Sequence, residues 1–240
     1  METTASERAD TTAPVLTARG IRKSYRTPVG ELEVLRGVDL EVSRGTILAV
    51  LGASGAGKST LLNILGTLDR ADSGTLEVGG RRLDQLGSAE LAAFRSTAMG
   101  FVFQFHHLLP EFSAVENVMM PLLIAGEREE AARECARRTL LDVGLAERWE
   151  HRPSELSGGE AQRVAVARAL VAEPELIFAD EPSGNLDARN AAALHDLIAT
   201  LAHERHQTFV VVTHNDNFAA RADRVLTLTA GTLAPSAAQE

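Results

Sequence analysis

The chain has 240 residues, which suffices for one α/β domain or for one domain with a small subdomain. It carries 33 acidic and 24 basic residues, so its net charge is −9 with the histidines neutral. This acidic balance argues against a nucleic-acid binder, whose surface is normally basic, and against loose adsorption to anionic lipid.

The N-terminal segment and the cysteine content indicate the compartment. Residues 1–13 are rich in Ser, Thr, Ala and Glu without periodicity, which predicts a disordered leader rather than a signal peptide. No run approaches the ~18 apolar residues of a membrane span. Cys135 is the single cysteine, which rules out an intramolecular disulfide and suits a reducing compartment. We therefore expect a soluble intracellular protein.

The first third of the chain predicts short strands around one strand–loop–helix unit. Strands are expected within 15–25 and 32–42, with a turn marked by proline and glycine at 28–30. After the unit, a strand at 75–78 runs into a hairpin turn at 79–80. This pattern is typical of an antiparallel β patch wrapped around the unit.

The loop of that unit, from Gly52 to Thr60, fits the phosphate-loop pattern G-x-x-x-x-G-K-[ST]. Glycines let successive backbone N–H groups converge on phosphate oxygens, and the following helix points its positive end at them. Lys58 would reach the β- and γ-phosphates, and the Ser59 hydroxyl would join the Mg²⁺ shell. The predicted ATP-binding residues of this loop are Gly52, Ala53, Ser54, Gly55, Ala56, Gly57, Lys58, Ser59 and Thr60.

A plain Gly-Ala-Ser turn is the alternative interpretation of this loop. Two features weigh against it: the loop lies between the apolar run 47–51 and a helical run, as the motif requires, and it contains a lysine. Of the 24 basic residues, only Lys23 and Lys58 are lysines. In so arginine-rich a chain, a lysine in the loop indicates that a compact ammonium is needed there.

Helices dominate after the buried strand predicted at 101–103. A capping box that starts at Ser113 opens one helix, which Pro121 with Gly126 is expected to break. A charged amphipathic helix follows at 127–143. These signals predict a helical insertion between the two halves of an α/β domain.

A second capping box, formed by Ser157 and Glu160, opens a helix predicted at 157–172. The box does not explain Gly158 and Gly159, because glycine lowers helix stability relative to alanine. Close approach of a phosphate to bare backbone N–H groups does explain two glycines in a first helical turn.

An acidic pair follows the buried strand predicted at 176–179. At the carboxyl end of a parallel strand, Asp180 would lie beside the phosphate loop and hold Mg²⁺ through its water shell. Glu181 would polarise the water that attacks the γ-phosphate. An acidic turn before Pro182 is the alternative, so this pair alone is a weak signal.

The end of the chain continues the alternation of strands and helices. A helix at 191–202 precedes a buried strand at 209–213. A terminal hairpin is predicted at 224–233 with its turn at 230–231, and residues 235–240 are expected to be frayed.

The phosphate loop, the acidic pair and Leu156-Ser157-Gly158-Gly159-Glu160, in this order and spacing, resemble the ATP-binding cassette (ABC) ATPases over nearly the whole chain. The five-residue run looks like the signature motif of that family, which is far more specific than a phosphate loop. The resemblance implies a single α/β domain at 14–234. It would have a phosphate-loop NTPase core, an antiparallel β subdomain, and a helical subdomain at roughly 105–170.

The resemblance also implies roles for single residues. Gln104 matches the glutamine that couples Mg²⁺ and water to the transport partner, and His214 matches the switch histidine that contacts the γ-phosphate. Tyr25, the single tyrosine, matches the aromatic residue that stacks on adenine, with a core tyrosine as the alternative. The implied catalytic residues are Gln104, Glu181 and His214, and the implied Mg²⁺ ligands are Ser59, Gln104 and Asp180.

Two cassettes of this family pack head to tail, so the resemblance implies a second copy of the chain as a partner. Each ATP would lie between one phosphate loop and the signature helix of the other copy. ATP would close this dimer and hydrolysis would release it. The residues implied to contact ATP in trans are Ser157, Gly158, Gly159 and Asp187, the last of these at the end of the stretch 183–187, which matches the D-loop of the family.

Within the family, segments 104–112 and 114–118 look like those of the lipoprotein-releasing (Lol-type) ATPases, with support from 152–156 and 184–190. This likeness implies an ATPase subunit that uses ATP and Mg²⁺ and is bound peripherally at the cytoplasmic face of an inner membrane. Its partners would be integral membrane permease subunits, and it would contact neither the cargo nor nucleic acid.

His106 and His107 lie in the segment that is similar to the Lol-type ATPases. A histidine pair can bind metal, but no cluster of cysteine or carboxylate accompanies these two in the sequence. We interpret them as part of a surface that receives a coupling helix of the membrane subunit.

Other functions stay open at this point. A related exporter, or a regulatory cassette like those of division complexes, would share these motifs, although macrolide exporters carry fused membrane helices that this chain lacks. A soluble DNA-repair ATPase is disfavoured by the charge of −9 and by the lack of a long coiled-coil insertion. A neighbouring gene for a protein with four membrane spans and a large periplasmic domain would favour lipoprotein release.

Overall fold

The computed structural model describes residues 13–28 and 30–236. Apart from Ala13, the predicted leader lies outside the described residues, as do residues 237–240 of the predicted frayed tail. The strands are β1 Leu16–Thr27, β2 Gly30–Val42, β3 Ile47–Leu51, β4 Ser73–Val78, β5 Arg81–Arg82, β6 Met99–Phe103, β7 Leu176–Asp180, β8 Phe209–Val212, β9 Arg224–Thr229 and β10 Thr232–Pro235. The helices are α1 Lys58–Leu65, α2 Ser88–Ala98, α3 Ala114–Ile124, α4 Glu129–Asp142, α5 Gly158–Leu170, α6 Ala188–Arg205 and α7 Asp216–Ala219.

A six-stranded sheet in the order β10-β9-β3-β8-β7-β6 forms the centre of the fold. Its strands β9, β3, β8, β7 and β6 are parallel, and β10 pairs antiparallel with β9 at the edge. Alternate residues of the buried strands enter two different cores: Phe209 and Val211 face one, and Val210 and Val212 face the other. Burial on both faces explains why these strands are continuous apolar runs in the sequence.

A second, antiparallel sheet in the order β2-β1-β4-β5 covers one face of the central sheet together with α1. The predicted hairpin turn at Gly79 and Gly80 is confirmed, and both residues have positive φ, 57° and 78°, as a tight two-residue turn requires. The terminal hairpin turns at Ala230 and Gly231 as predicted. Pro235, expected in the frayed tail, is the last residue of β10.

Helices α3, α4, α5 and α6 pack on the other face of the central sheet. The predicted capping box at Ser113 is confirmed, since its N–H donates to Glu116 Oε2 at 2.7 Å. The expectation that Pro121 helps to break this helix is wrong, because Pro121 lies inside α3. The helix ends one turn later, where Gly126 adopts φ 91° and the backbone bonds of Gly126 and Glu127 close a Schellman motif.

None of the helices in the described ranges is both long enough and apolar enough to cross a membrane. The two cores cover the two faces of the central sheet. Polar functional groups are therefore expected in the loops at the ends of its strands. The ends of β3, β6, β7 and β8 all lie at the same edge, because the four strands are parallel.

Candidate functional site

A cavity of about 860 Å³ opens at the carboxyl ends of the parallel strands. It brings together residues that the sequence analysis selected from five separate stretches of the chain. Its lining comprises Tyr25, Val34, Ser54, Gly55, Gly57, Lys58, Ser59, Thr60, Phe103, Gln104, Phe105, His107, Asp180, Glu181 and His214. The volume and the mixture of apolar and charged walls suit a nucleotide-sized ligand.

The phosphate loop joins β3 to α1 and wraps around its own lysine. Lys58 Nζ donates to the carbonyl oxygens of Gly52 at 2.8 Å and Ala53 at 3.3 Å, and the Ala56 N–H donates to the Ala53 carbonyl at 3.1 Å. Gly57 caps α1 at φ 100°, and a Cβ built there would lie 2.8 Å from Val34 Cγ1. A side chain at position 57 would therefore be both strained and obstructed.

Asp180 ends β7 beside the phosphate loop, as predicted, and its carboxylate lies near the Ser59 hydroxyl. Burial raises its pKa and the neighbouring Glu181 adds to that effect, while Ser59 and Lys58 oppose it. The hydroxyl of Ser59, the carboxylate of Asp180 and the amide oxygen of Gln104 are hard donors, which is the chemistry that Mg²⁺ selects. The donor set therefore fits the implied cation.

Glu181 receives hydrogen bonds from the segment that follows β8. Thr213 Oγ1 donates to Glu181 Oε2 at 2.8 Å, and His214 Nδ1 lies 2.7 Å from Oε1. Lys58 Nζ lies 3.9 Å from the same Oε1. Glu181 has φ 46°, an unusual value for a residue other than glycine, and such backbone geometry is common at functional sites. These contacts hold the carboxylate at the cavity wall.

Gln104 follows β6 and is paired with the loop after Glu181. Its Nε2 donates to Asn185 Oδ1 at 3.1 Å, and Asn185 Nδ2 donates back to the Gln104 carbonyl at 3.2 Å. The buried Gln162 of α5 donates to the carbonyl of the preceding residue, Phe103, at 2.8 Å. The glutamine segment, Phe103 and Gln104, is therefore hydrogen-bonded to α5 and to the loop after Glu181, two elements that lie outside the cavity.

Tyr25 lies on β1 at the cavity wall and is 39% exposed, which excludes the alternative of a core tyrosine. Its hydroxyl donates to Asp69 Oδ2 at 2.8 Å and also meets the Thr60 hydroxyl. Burial raises the pKa of Tyr25, and the adjacent Asp69 carboxylate raises it further.

The signature helix and the D-loop do not reach this cavity. The residues that line it do not include Ser157, Gly158, Gly159 or Asp187. Ser157 caps α5 as predicted: its N–H donates to Glu160 Oε2 at 2.9 Å, and its Oγ accepts from the Glu160 N–H at 3.3 Å. The Ser157 N–H and the Ser157 hydroxyl, which donates at 2.8 Å, both bond to the Glu160 carboxylate, and with a further hydrogen bond from Arg148 they lower the pKa of Glu160 to about 2.

The two glycines at the start of α5 have different environments. A Cβ on Gly159 would lie 2.5 Å from Asn190 Oδ1, so packing within the chain requires glycine there. A Cβ on Gly158 would make only an ordinary contact, 3.7 Å from Leu186 Cδ2. Contacts among the described residues therefore explain why position 159 is a glycine. They give no steric reason for a glycine at position 158.

Several residues of the site could not be predicted from the sequence. Val34 and Phe103 line the cavity. In the sequence each is an ordinary apolar residue of a strand, so nothing indicates that it contacts a ligand. Gln162 lies beside Arg163 at the start of a helix, so the sequence does not distinguish it from a solvent-exposed amide. Thr213, which holds Glu181, was predicted only as the end of a strand.

His106 and His107 follow the glutamine segment, and His107 lines the cavity. Their backbone carbonyls accept hydrogen bonds from the Arg168 guanidinium at 2.7 and 2.8 Å. His106 Nδ1 accepts from the Leu108 N–H at 3.2 Å, and burial lowers the pKa of this imidazole. The pair thus sits on a loop that α5 holds in place.

Comparisons with known proteins agree with this geometry. A family model described as ABC transporter matches residues 35–184. The chain is 54% identical to the lipoprotein-releasing system ATP-binding protein LolD of Porphyromonas gingivalis, over 91% of this chain and 98% of the relative. It is 51% identical to the protein of the same description from Geobacter metallireducens, over 90% of this chain and 96% of the relative.

Two solved structures have the same fold. A dimeric, post-hydrolysis state of the ATP-binding cassette MJ0796 bound to ADP and Pi matches with a TM-score of 0.83 and 34% identity, over 92% of this chain and 98% of the other. A dimeric structure of MJ0796, described as a bacterial ABC transporter cassette, matches with a TM-score of 0.83 and 36% identity, over 91% and 96%. These similarities confirm the predicted fold class.

The Ser157–Glu160 capping box makes stability depend on pH. Glu160 has a pKa of about 2 in the fold against an ordinary value of 4.5, so its stabilisation is present above pH 4.5 and disappears between pH 4.5 and 2. We expect Glu160→Gln to lower the free energy of unfolding by about 1 kcal/mol at pH 7. Denaturant unfolding at several pH values should show this difference from wild type shrinking below pH 4.5.

Glu134→Gln is the matched control for this measurement, since Glu134 is an exposed glutamate on α4. It should leave the free energy of unfolding within about 0.5 kcal/mol of wild type at pH 7. A Glu160→Gln deficit that stayed constant down to pH 2 would mean that the carboxylate charge contributes nothing.

Proposed function

Because the chain belongs to the ABC transporter family and is an ATP-hydrolysing cassette of it, we propose that it powers the release of lipoproteins from an inner membrane. It would act as a peripheral subunit on the cytoplasmic face, bound to integral membrane permease subunits. Its high identity to LolD proteins over nearly the full length of both chains supports this cargo.

The proposed mechanism rests on one observation, the convergence of the predicted residues in a single cavity. Lys58 and the N-terminus of α1 would bind the phosphates, and Ser59, Asp180 and Gln104 would hold Mg²⁺. When bound, Mg²⁺ neutralises charge that develops on the phosphate oxygens. Tyr25 would stack on the adenine, because its ring is exposed at the cavity wall.

Glu181 would orient the attacking water and accept its proton. The water oxygen forms a bond to the γ-phosphorus as the bond from that phosphorus to the β,γ-bridging oxygen breaks, leaving ADP and inorganic phosphate. The contacts from Thr213 and His214 fix the direction of the carboxylate, which supports this role. His214 would contact the γ-phosphate, and its position 2.7 Å from Glu181 supports a role that links the γ-phosphate to the base.

A second copy of the chain would complete each site. Ser157, Gly158, Gly159 and Asp187 do not line the cavity of their own chain, and both solved relatives are described as dimeric. Gly158 supports this arrangement, because among residues 13–28 and 30–236 no contact requires a glycine there. We propose that these residues contact the ATP held by the phosphate loop of the other copy, in a head-to-tail dimer.

A groove between α2, α3 and β6 supports the permease contact. It has a volume of about 530 Å³, its wall is mainly apolar, and Ile124 at its rim is 73% exposed. An apolar groove beside the site is the kind of surface that takes an amphipathic segment of a partner. The groove lies close to the glutamine segment, since Phe103 lines both the groove and the cavity.

Replacing the proposed base should separate ATP binding from hydrolysis. We expect Glu181→Gln to bind ATP while its steady-state hydrolysis rate falls at least about 100-fold, as is typical when a general base is lost. The variant should also run as a dimer with ATP and as a monomer with ADP in size-exclusion chromatography. Hydrolysis at the wild-type rate would show that Glu181 is not the base.

Mixing two inactive variants tests the contact in trans. Lys58→Ala disables the phosphate loop, and Ser157→Arg blocks the signature contact, so neither homodimer should hydrolyse ATP. A mixed head-to-tail dimer has one site with both defects and one intact site, so ATP hydrolysis should reappear when the two variants are mixed. If all contacts were made within one chain, the mixture would contain no intact site and would stay inactive.

Lipoprotein release is tested with membrane vesicles that contain the permease partner. Addition of the chain with ATP should transfer lipoprotein to a soluble acceptor, and Ile124→Asp should abolish transfer while ATP hydrolysis by the isolated chain is unchanged. Leu141→Asp is the matched control, because Leu141 is 61% exposed on α4 away from the groove. ATP-dependent pull-down of a permease without lipoprotein transfer would favour a regulatory cassette instead.

A further inference from the structure

Lys23 is the second of the two lysines, and the phosphate site does not use it. Its side chain is only 11% exposed on β1, where Nζ donates to Asp69 Oδ1 at 3.0 Å and to the Arg70 carbonyl at 2.6 Å. Asp72 Oδ1 lies 3.9 Å from the same ammonium. A largely buried ammonium needs such partners, and a compact one can make all of these contacts at once.

Asp69 connects this lysine to the cavity. One carboxylate oxygen accepts from Lys23, and the other accepts from the Tyr25 hydroxyl at 2.8 Å. Burial alone would raise the pKa of Asp69, but the hydrogen bonds from Lys23, Tyr25 and the Arg70 N–H outweigh it and lower the pKa. Asp69 is therefore a charged acceptor at neutral pH, and charge-assisted hydrogen bonds are the stronger kind.

The Tyr25 ring depends on these contacts for its direction. It is 39% exposed at the rim of the cavity, so packing alone restrains it weakly. The other restraints are the hydrogen bond from the Tyr25 hydroxyl to Asp69 and the Lys23 ammonium, which lies 5.1 Å from the ring centroid. A ring that is already oriented loses less rotational freedom when a ligand stacks on it.

We propose that Asp69, held in place by Lys23, is a positioning residue that orients the Tyr25 ring for the adenine of ATP. Asp69 does not line the cavity, so it acts on ATP affinity only through Tyr25. This inference rests on the proposed role of Tyr25 in stacking on adenine. It assigns a function to Lys23 that the phosphate-loop motif leaves unexplained.

The direct test measures binding of ATP and of inorganic tripolyphosphate to the full chain. Asp69→Ala and Tyr25→Phe each remove the same hydrogen bond, and each should weaken ATP binding about 3- to 10-fold, as expected for one side chain that must be ordered on binding. Tripolyphosphate has no base to stack, so its affinity should stay unchanged. The double variant should be no weaker than either single variant, because both remove one interaction.

Asp72→Ala is the matched control. Asp72 faces the same ammonium and accepts from the Ser24 N–H at 2.6 Å, whereas the Tyr25 hydroxyl goes to Asp69. It should leave ATP affinity within about 2-fold of wild type. Asp69→Asn is the conservative variant: its amide oxygen can still accept from Tyr25, so it should recover most of the ATP affinity lost in Asp69→Ala.

A spectroscopic titration provides an independent readout. Tyr25 is the single tyrosine of the chain, so the absorbance change of tyrosinate at high pH reports on this residue alone. The Asp69 carboxylate contributes to the raised pKa of Tyr25. Titration of Asp69→Asn and Asp69→Ala should therefore give a Tyr25 pKa below that of wild type, and an unchanged pKa would contradict the contact.

The outcomes separate this inference from the proposed function. If Tyr25→Ala weakens ATP binding but Asp69→Ala and Asp69→Asn do not, Tyr25 keeps its role and the positioning inference is wrong. If Tyr25→Ala binds ATP as wild type does, the proposed adenine contact itself is wrong. If Asp69→Ala weakens ATP and tripolyphosphate equally, Asp69 has a general structural role. If Asp69→Ala does not fold, the ATP affinity of Tyr25→Phe and the Tyr25 pKa of Asp69→Asn carry the test.

Discussion

The parallel pairing of β3, β8, β7 and β6 is the constraint on which the rest of the structure depends. Apolar residues bury both faces of these strands, so polar side chains can be placed only where the strands end. Since parallel strands end at one edge, the groups that follow them meet there even though they are far apart in sequence. The cavity and its charged residues are a consequence of this register.

One ammonium and two carboxylates lie close together at that edge. Lys58 lies 3.9 Å from Glu181 and is also bound by carbonyl oxygens of its own loop, so its ammonium is held at the cavity floor. Asp180 and Glu181 are adjacent carboxylates, and their repulsion contributes to the raised pKa of Asp180. A cation and a polyphosphate would each find opposite charge there, which is the electrostatic basis for binding both.

The sequence predicted most of this arrangement because the main signals are local. Buried strands appear as apolar runs, capping boxes occupy four residues, and the phosphate loop is continuous in sequence. Pro121 was misjudged because the loss of one N–H does not end a helix whose packing is intact, whereas the left-handed Gly126 does. The packing of Gly159 against Asn190 could not be predicted, since it joins helices that are separated by a loop and a strand.

Contacts within one chain also link the two half-sites that a dimer would use. Gln162 of the signature helix binds the carbonyl of Phe103, and the next residue, Gln104, pairs with Asn185 of the D-loop. Gly159 packs on Asn190, whose N–H is bonded to Asp187. The residues proposed to serve the ATP of the other copy are thus rigidly connected to the glutamine that lines their own cavity. If a ligand displaced that glutamine, the hydrogen bonds at Gln162 and Asn185 would pass the movement to the signature helix or to the D-loop.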